Sequence, residues 1–283
     1  MQFGVIGLGL MGSSLLLAAR QKRLFDRFVG FDALPNHAKY ALDHGIIDEV
    51  SDCETLLKSC DLIALAVPVE AIAQLLPSLA AASESAIFFD LGSTKTAIVS
   101  AIPALIRPRF VAAHPMAGTE YSGPSAGFAS LYNDRVAVLC DTEENSAEAL
   151  AMVSGVFEAI GMRIVKMGAK EHDRHAAFIS HLPHMISYAL ANTVLSQEDK
   201  ANILTLAAGG FRDMSRLAKS SSKMWIDIFK QNKPAVLDSL EVFRRELDAA
   251  QEWLQNDRFD ELAAWMKSAN TLHEIFTPLG SGK

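Results

Sequence analysis

Residues 3–14 read FGVIGLGLMGSS, and this stretch decides the fold. The run at 3–6 has the texture of a buried strand. Gly7, Gly9 and Gly12 follow in G-x-G-x-x-G spacing, and a helix then opens with Ser13 and Ser14. In such a turn the first glycine permits the tight bend, the second lets backbone approach a pyrophosphate, and the third lets helix and strand pack closely. Phosphates rest on the helix N-terminus, where unpaired amides and the helix dipole favour an anion. Leu8, Leu10 and Met11 belong to the same turn and count with the glycines as cofactor-binding positions. Asp32 lies 20 residues beyond Gly12 at the end of a second strand, where a carboxylate accepts the adenosine ribose hydroxyls. It repels a 2′-phosphate, and Ala33 and Leu34 bring no arginine to hold one, so NAD is expected over NADP. A ligand-free glycine turn is the plainer alternative, and strand, glycines, helix and acid together weigh against it. Val67, Pro68 and Gly92 follow further strand ends, where ligands of open parallel sheets bind, and complete the cofactor-binding set.

Working outward, short apolar runs alternate with helical spacing through the first half. Strands are expected at 3–6, 28–32, 62–67, 86–91, 110–113, 136–140 and 163–167, and helices at 12–20, 33–44, 70–82 and 147–160. That alternation predicts βαβ units and a parallel sheet covered on both faces. Residues 119–133, rich in Gly, Ser and Tyr, read as a long loop near a site. After Gly168 strand signals cease, and helices are expected at 171–195, 224–230, 234–254 and 259–275. The reading is an α/β Rossmann-type dinucleotide-binding domain over 1–168 followed by an all-α domain over 169–283.

Composition narrows the function. The 283 residues carry 26 basic and 33 acidic side chains, a formal net charge of -7, which supplies no field for a nucleic-acid backbone. No segment is long and apolar enough to span a bilayer, so no membrane partner is expected. Cys53, Cys60 and Cys140 are odd in number and lack CxxC spacing, which argues against a disulfide framework or thiolate zinc site and fits a reducing cytoplasm. The uncharged N-terminus before Arg20 raises a secretory-signal reading. It lacks a basic region ahead of the apolar run, and its glycines have the better explanation above.

Several polar residues stand where chemistry is possible. His114, leaving the strand at 110–113, can take a proton from a substrate hydroxyl at neutral pH while a hydride leaves the same carbon; the bland alternative is a turn-capping histidine. Ser93 can hydrogen-bond that histidine or the reacting oxygen, or cap the helix beginning at Thr94. Lys95 offers a charge near the cofactor, solvation being the default for lysine. His172, Asp173, His175, His181 and His184 suggest a metal site by spacing, but Pro183 distorts the turn and no third ligand follows, so no metal is expected. Substrate contact by His184, with His181 structural, is preferred. Gly209, Gly210, Arg212, Asp213 and Arg216 resemble an anion clamp, because guanidinium groups bind carboxylates bidentately. Salt bridging of Arg212 to Asp213 or Glu120 is the alternative. Trp225 reads as a packing residue near the same site.

Taken in order, GLGLMGSSL, the strand-end Asp32, DLGSTKT, HPMAGTE, HDRHAAFISHLPH, GGFRDMSR and MWIDIF resemble the prephenate/arogenate dehydrogenase family of tyrosine biosynthesis along nearly the whole chain. The resemblance implies a cofactor domain, an all-helical dimerisation domain and an active site between them. It implies NAD-dependent oxidative decarboxylation of prephenate to 4-hydroxyphenylpyruvate, or of arogenate to tyrosine, by a homodimer. His114 would be the base and Ser93 would orient it. His184 and Arg216 would hold the substrate, with Arg216 on a carboxylate, and Thr119, Arg212 and Trp225 would add weaker contacts. Glu120 and Asp213 would support the arginines. Two competing readings are a β-hydroxyacid dehydrogenase, which needs a catalytic lysine such as Lys170, and a non-catalytic NAD-binding sensor.

Overall fold

The computed structural model describes residues 1–119 and 121–275. Its first half is an eight-stranded sheet in the order β3-β2-β1-β4-β5-β6-β7-β8. The strands are β1 (Gln2–Ile6), β2 (Arg27–Phe31), β3 (Glu49–Val50), β4 (Leu62–Leu65), β5 (Ile87–Asp90), β6 (Phe110–Pro115), β7 (Val136–Cys140) and β8 (Arg163–Met167). Between them run α1 (Leu10–Gln21), α2 (Pro35–Asp43), α3 (Cys53–Ser59), α4 (Val69–Leu75), α5 (Thr96–Ala101) and α6 (Ala147–Ala159). Successive strand side chains point to opposite faces, so neighbours divide between two cores. Val5 and Phe89 join Leu15, Leu16 and Phe157 on one face, while Ile6 and Phe88 join Ile63, Ile98 and Phe110 on the other. Each fully buried side chain of this size contributes roughly 1.5–3 kcal/mol relative to exposure.

The sheet departs from an all-parallel one at a single pairing. β6 and β7 run antiparallel, with His114 opposite Val138. The chain between them returns without a crossover helix, which a parallel neighbour requires. Instead it forms two short 3-10 turns, Pro124–Ala126 and Ala129–Tyr132, and docks on α1. Phe128 N donates to Ser14 Oγ (3.1 Å) and the buried Tyr132 hydroxyl donates to Met11 O (2.7 Å). The structure also adds β3 and α3 to the expected elements, and it starts α5 at Thr96 rather than Thr94. It ends α4 at Leu75, where Pro77 forces a 3-10 turn over Leu76–Ala81.

The second half is helical: α7 (Ala169–Ala176), a π-helical turn (Ala177–His181), α8 (Leu182–Leu195), α9 (Lys200–Thr205), α10 (Gly209–Ser215), α11 (Ser222–Gln231), α12 (Lys233–Gln255), α13 (Phe259–Asn270) and α14 (Leu272–Ile275). The helix expected at 171–195 is thus interrupted. Pro183, at the start of α8, has no N–H for the helical ladder, and the wider π turn precedes it. Buried polar contacts tie the halves together. Thr94 Oγ1 donates to Gln231 Oε1 (2.6 Å), and Lys95 N donates to Asp173 Oδ1 (2.7 Å). Among the described residues no helix is long and apolar enough to cross a membrane.

Candidate active site

The glycine-rich turn is shaped by contacts that exclude side chains. Gly7 adopts φ +101°, and a Cβ there would fall 2.5 Å from Ala66 O and 2.8 Å from Val67 Cγ1. A Cβ on Gly12 would fall 2.0 Å from Gly7 O, so only glycine lets α1 start this close to β1. Above Gly9 there is open space, and no side chain caps the first turn of α1. These amides and this opening fit a dinucleotide pyrophosphate. Leu8 and Leu10 bury their side chains in the core, and both backbone polar atoms of Leu8 are taken, its N–H by Asp32 Oδ2 and its carbonyl by the Ser13 hydroxyl.

The Asp32 carboxylate also organises the turn. Oδ2 accepts Leu8 N at 2.7 Å, Oδ1 accepts Leu34 N at 2.8 Å, and His37 Nδ1 stands 3.3 Å from Oδ2. Val67 and Pro68 follow the end of β4, and Val67 Cγ1 lies against Gly7. Gly92 is different, because its amide is spent on Asp90 Oδ2 (2.8 Å) and a Cβ would strike Ile98 Cδ1. Close packing explains this glycine.

Near the end of β6 stands His114, whose ring belongs to a chain of hydrogen bonds crossing from sheet to helices. Its Nδ1 lies 2.8 Å from His172 Nε2, and His172 Nδ1 lies 2.9 Å from Asp173 Oδ1. Asp173 further accepts Lys95 N (2.7 Å) and Thr96 N (2.8 Å). A carboxylate only accepts, so His172 carries its proton on Nδ1 and presents a lone pair at Nε2. His114 then donates through Nδ1, which leaves Nε2 as its unprotonated nitrogen. Burial opposes the Asp173 charge, but the hydrogen bonds from His172, Thr96 and Lys95 outweigh it and hold the carboxyl at about 2. Burial, then the neighbouring His172, Lys95 and His181, push the His114 ring well below the ordinary histidine range.

A second cluster lies across the helical half. The rings of His184 and Trp225 stack with centroids 3.6 Å apart, and His181 meets the same indole edge-on at 5.9 Å. His184 Nδ1 donates to Ser180 O at 2.9 Å, which turns its Nε2 outward from the π turn. Burial lowers the His184 ring, and the Arg216 guanidinium nearby lowers it further. Trp225 is buried, with its Nε1 unpartnered among the described residues. Burial also holds His181 at about 4, and its Nδ1 faces Asn232 Nδ2 at 3.1 Å.

Other expected residues fare differently. Ser93 is half-buried after β5; among the described residues His114 bonds to His172 and not to it, and α5 begins at Thr96 without a serine cap. Thr119 is exposed, its Oγ1 accepting Tyr121 N (3.2 Å). Arg212, Asp213 and Arg216 are exposed along one segment. Among the described residues no carboxylate pairs with either arginine, so the expected support from Asp213 is not made. Glu120 lies outside the described residues. His175 and Lys170 are exposed, which leaves the hydroxyacid-dehydrogenase reading without a buried lysine at the start of the helical half. Lys95 is not solvated: it is fully buried and paired with Asp90. Sequence reasoning missed His172 and Asp173 as partners of His114, although both lie in the HDRH stretch read for metal ligation. Among the described residues no group of three or more His, Cys, Asp or Glu could hold a metal ion.

Comparison with known proteins agrees with this two-part arrangement. The prephenate dehydrogenase nucleotide-binding domain matches residues 16–166, and the prephenate dehydrogenase dimerization domain matches residues 168–268. The cyclohexadienyl dehydrogenase of Zymomonas mobilis is 36% identical over 252 residues, 86% of this chain and 85% of its own. A crystal structure of prephenate dehydrogenase from A. aeolicus, in complex with hydroxyphenyl propionate and NAD+, has a TM-score of 0.91 at 30% identity, covering 98% of each chain. Synechocystis arogenate dehydrogenase gives 0.82 at 30% identity, covering 98% of this chain and 100% of its own. A nucleotide-binding turn, a strand-end histidine backed by the helical half, and matches to both domains in order converge on one conclusion: the chain belongs to the prephenate dehydrogenase family.

Proposed function

We propose that the chain carries out NAD-dependent oxidative decarboxylation of prephenate to 4-hydroxyphenylpyruvate, a step of tyrosine biosynthesis, and that arogenate, yielding tyrosine, is the related substrate. The observation that carries the reading is the His114–His172–Asp173 hydrogen-bond chain at a strand end of the dinucleotide-binding sheet, from which an unprotonated His114 Nε2 follows. The nicotinamide, when bound, supplies the hydride acceptor. His114 Nε2 takes the proton of the ring hydroxyl as hydride leaves the same carbon and the C–O bond becomes a carbonyl. The bond to the carboxylate on the opposite ring carbon then breaks and carbon dioxide departs. Its electron pair closes the aromatic ring, and the phenolate oxygen recovers the proton from His114. Aromatisation drives the loss, so the residues need to bind, orient and move one proton.

Arg216, exposed beside His184, suits a bidentate grip on a substrate carboxylate. His184 and Trp225 supply a flat wall with polar edges for the ring, Ser93 lies near the hydroxyl, and Thr119 and Arg212 line the approach. Gly7, Gly9, Gly12 and Asp32 hold the cofactor. The domain boundary falls between β8 and α7, at residues 168–169. Exposed apolar side chains on the helical half, among them Leu195, Leu206, Met214, Leu237, Leu247 and Met266, suit a homodimer made through that half. The site of action is the cytoplasm. Purified protein mixed with NAD and either prephenate or arogenate tests the reading. NADH together with 4-hydroxyphenylpyruvate or tyrosine is the expected result, and no NADH from either substrate despite NAD binding would overturn it.

A further inference from the structure

Lys95 and Asp90 form an ion pair in which both side chains are completely buried. Removing two charges from water is expensive, and a buried pair is weak evidence for stability by itself. Apart from the Gly92 amide on Asp90 Oδ2, its hydrogen bonds beyond the pair converge on one neighbour. Lys95 Nζ also donates to Ala113 O at 2.6 Å, and Asp90 Oδ1 accepts Ala113 N at 3.1 Å, so the pair grips both backbone atoms of the residue before His114. The same lysine reaches His114 from its other side. Its backbone N–H donates to Asp173 Oδ1 at 2.7 Å, the oxygen that holds His172 against the His114 ring.

We propose that Lys95, with Asp90 as its counter-ion, is a positioning residue for His114 that fixes the strand end beneath the imidazole and the histidine–aspartate chain behind it as one unit, and keeps the ring a base. The inference rests on reading His114 as the base. The titratable groups facing His114 are Lys95 from the segment after β5, with Asp90 at the end of that strand, His172 and Asp173 from α7, and His181 from the π turn. Lys95 opposes protonation of His114 and Asp173 favours it, so the buried ammonium offsets the carboxylate that orients the ring.

The test uses the full-length protein with two variants, Lys95→Met and the double variant Asp90→Asn with Lys95→Met, which replaces the pair with neutral groups of similar size. NAD affinity, read by tryptophan fluorescence, reports the fold, and kcat and KM are followed from about pH 5 to pH 9. The expected result is a fall in kcat of about 10-fold to 100-fold with KM for NAD within about twofold, and an acid limb of kcat/KM moved to higher pH in both variants. A folded variant with the wild-type profile and kcat would overturn the proposal, as would loss of folding in both variants, which would make the pair structural only. His114→Asn serves as the control. Turnover retained there would refute the base assignment itself rather than the role of Lys95.

Discussion

The Nε2 atom of His172 lies 2.8 Å from Nδ1 of His114, although 58 residues separate the two in sequence. A histidine at the end of a sheet strand is therefore completed by the first helix of the other domain. The tautomer of His114 is defined only when both halves are in place. If His114 is the base, as proposed, the proton chemistry falls at the domain boundary, on an imidazole whose partners across that boundary set its tautomer.

Substituting Asp173 by Asn should abolish that definition with little loss of volume. An amide can donate to His172 Nδ1, which drives the His172 proton to Nε2 and faces it against the donor nitrogen of His114. His114 must then turn its lone pair inward and present N–H to the substrate. The expected outcome is a fall in kcat of about 10²-fold to 10⁴-fold with KM for NAD little changed, on the scale known when an orienting carboxylate is lost. Steady-state kinetics with either substrate checks it, and a fall of less than about threefold would show that the tautomer is set elsewhere.

Much of this was legible in the sequence, for reasons that differ by residue. Gly7, Gly12 and Asp32 are local demands: a left-handed φ, a 2.0 Å approach and a carboxylate at a fixed offset leave their mark within a few positions. β3 left none, because Glu49–Val50 pairs with β2 by only two residues and carries no apolar run. The direction of β7 had a signal that went unused, since a loop at 119–133 without a crossover helix already favours an antiparallel neighbour. His172 and Asp173 were visible as residues, but their partner lies on another element, and no spacing rule reaches across 58 residues. Burial of Lys95 is the least legible feature, because it depends on Asp90 and Ala113 O closing around a side chain that is solvated nearly everywhere else.

The buried histidines also set how stability responds to acid. His181 is held at about 4 against an ordinary 6.5, chiefly by burial, so between these values the unfolded chain binds more protons than the folded one. Stability is fully present above about pH 6.5 and is lost as pH falls toward 4, with His114 acting in the same direction. Asp173, at about 2 against 3.8, adds a second loss below pH 3.8. Thermal melting across this range should show a Tm nearly level above pH 7 and falling between 6.5 and 4, a fall that His181→Asn makes shallower. An equally steep decline in that variant would assign the acid sensitivity to other groups.

Gly9 and Gly12 separate cofactor binding from folding within one turn. Gly9 has an extended backbone (φ −73°, ψ −164°) that any residue adopts, and a Cβ there meets nothing within 4 Å. Gly9→Ala should leave stability within about 0.5 kcal/mol of the parent. A bound pyrophosphate must lie over that open space, so the added methyl should weaken NAD binding about tenfold or more, ~1.4 kcal/mol. Gly12→Ala drives a Cβ to 2.0 Å from Gly7 O, an approach no rotamer relieves, and α1 must move away from β1. It should cost about 1–3 kcal/mol of stability and NAD binding together. Calorimetric titration with NAD and a thermal melt on each variant read the two effects separately. If Gly9→Ala bound NAD as the parent does, the phosphates would not cross this turn, and the cofactor would have to be placed elsewhere along the strand ends.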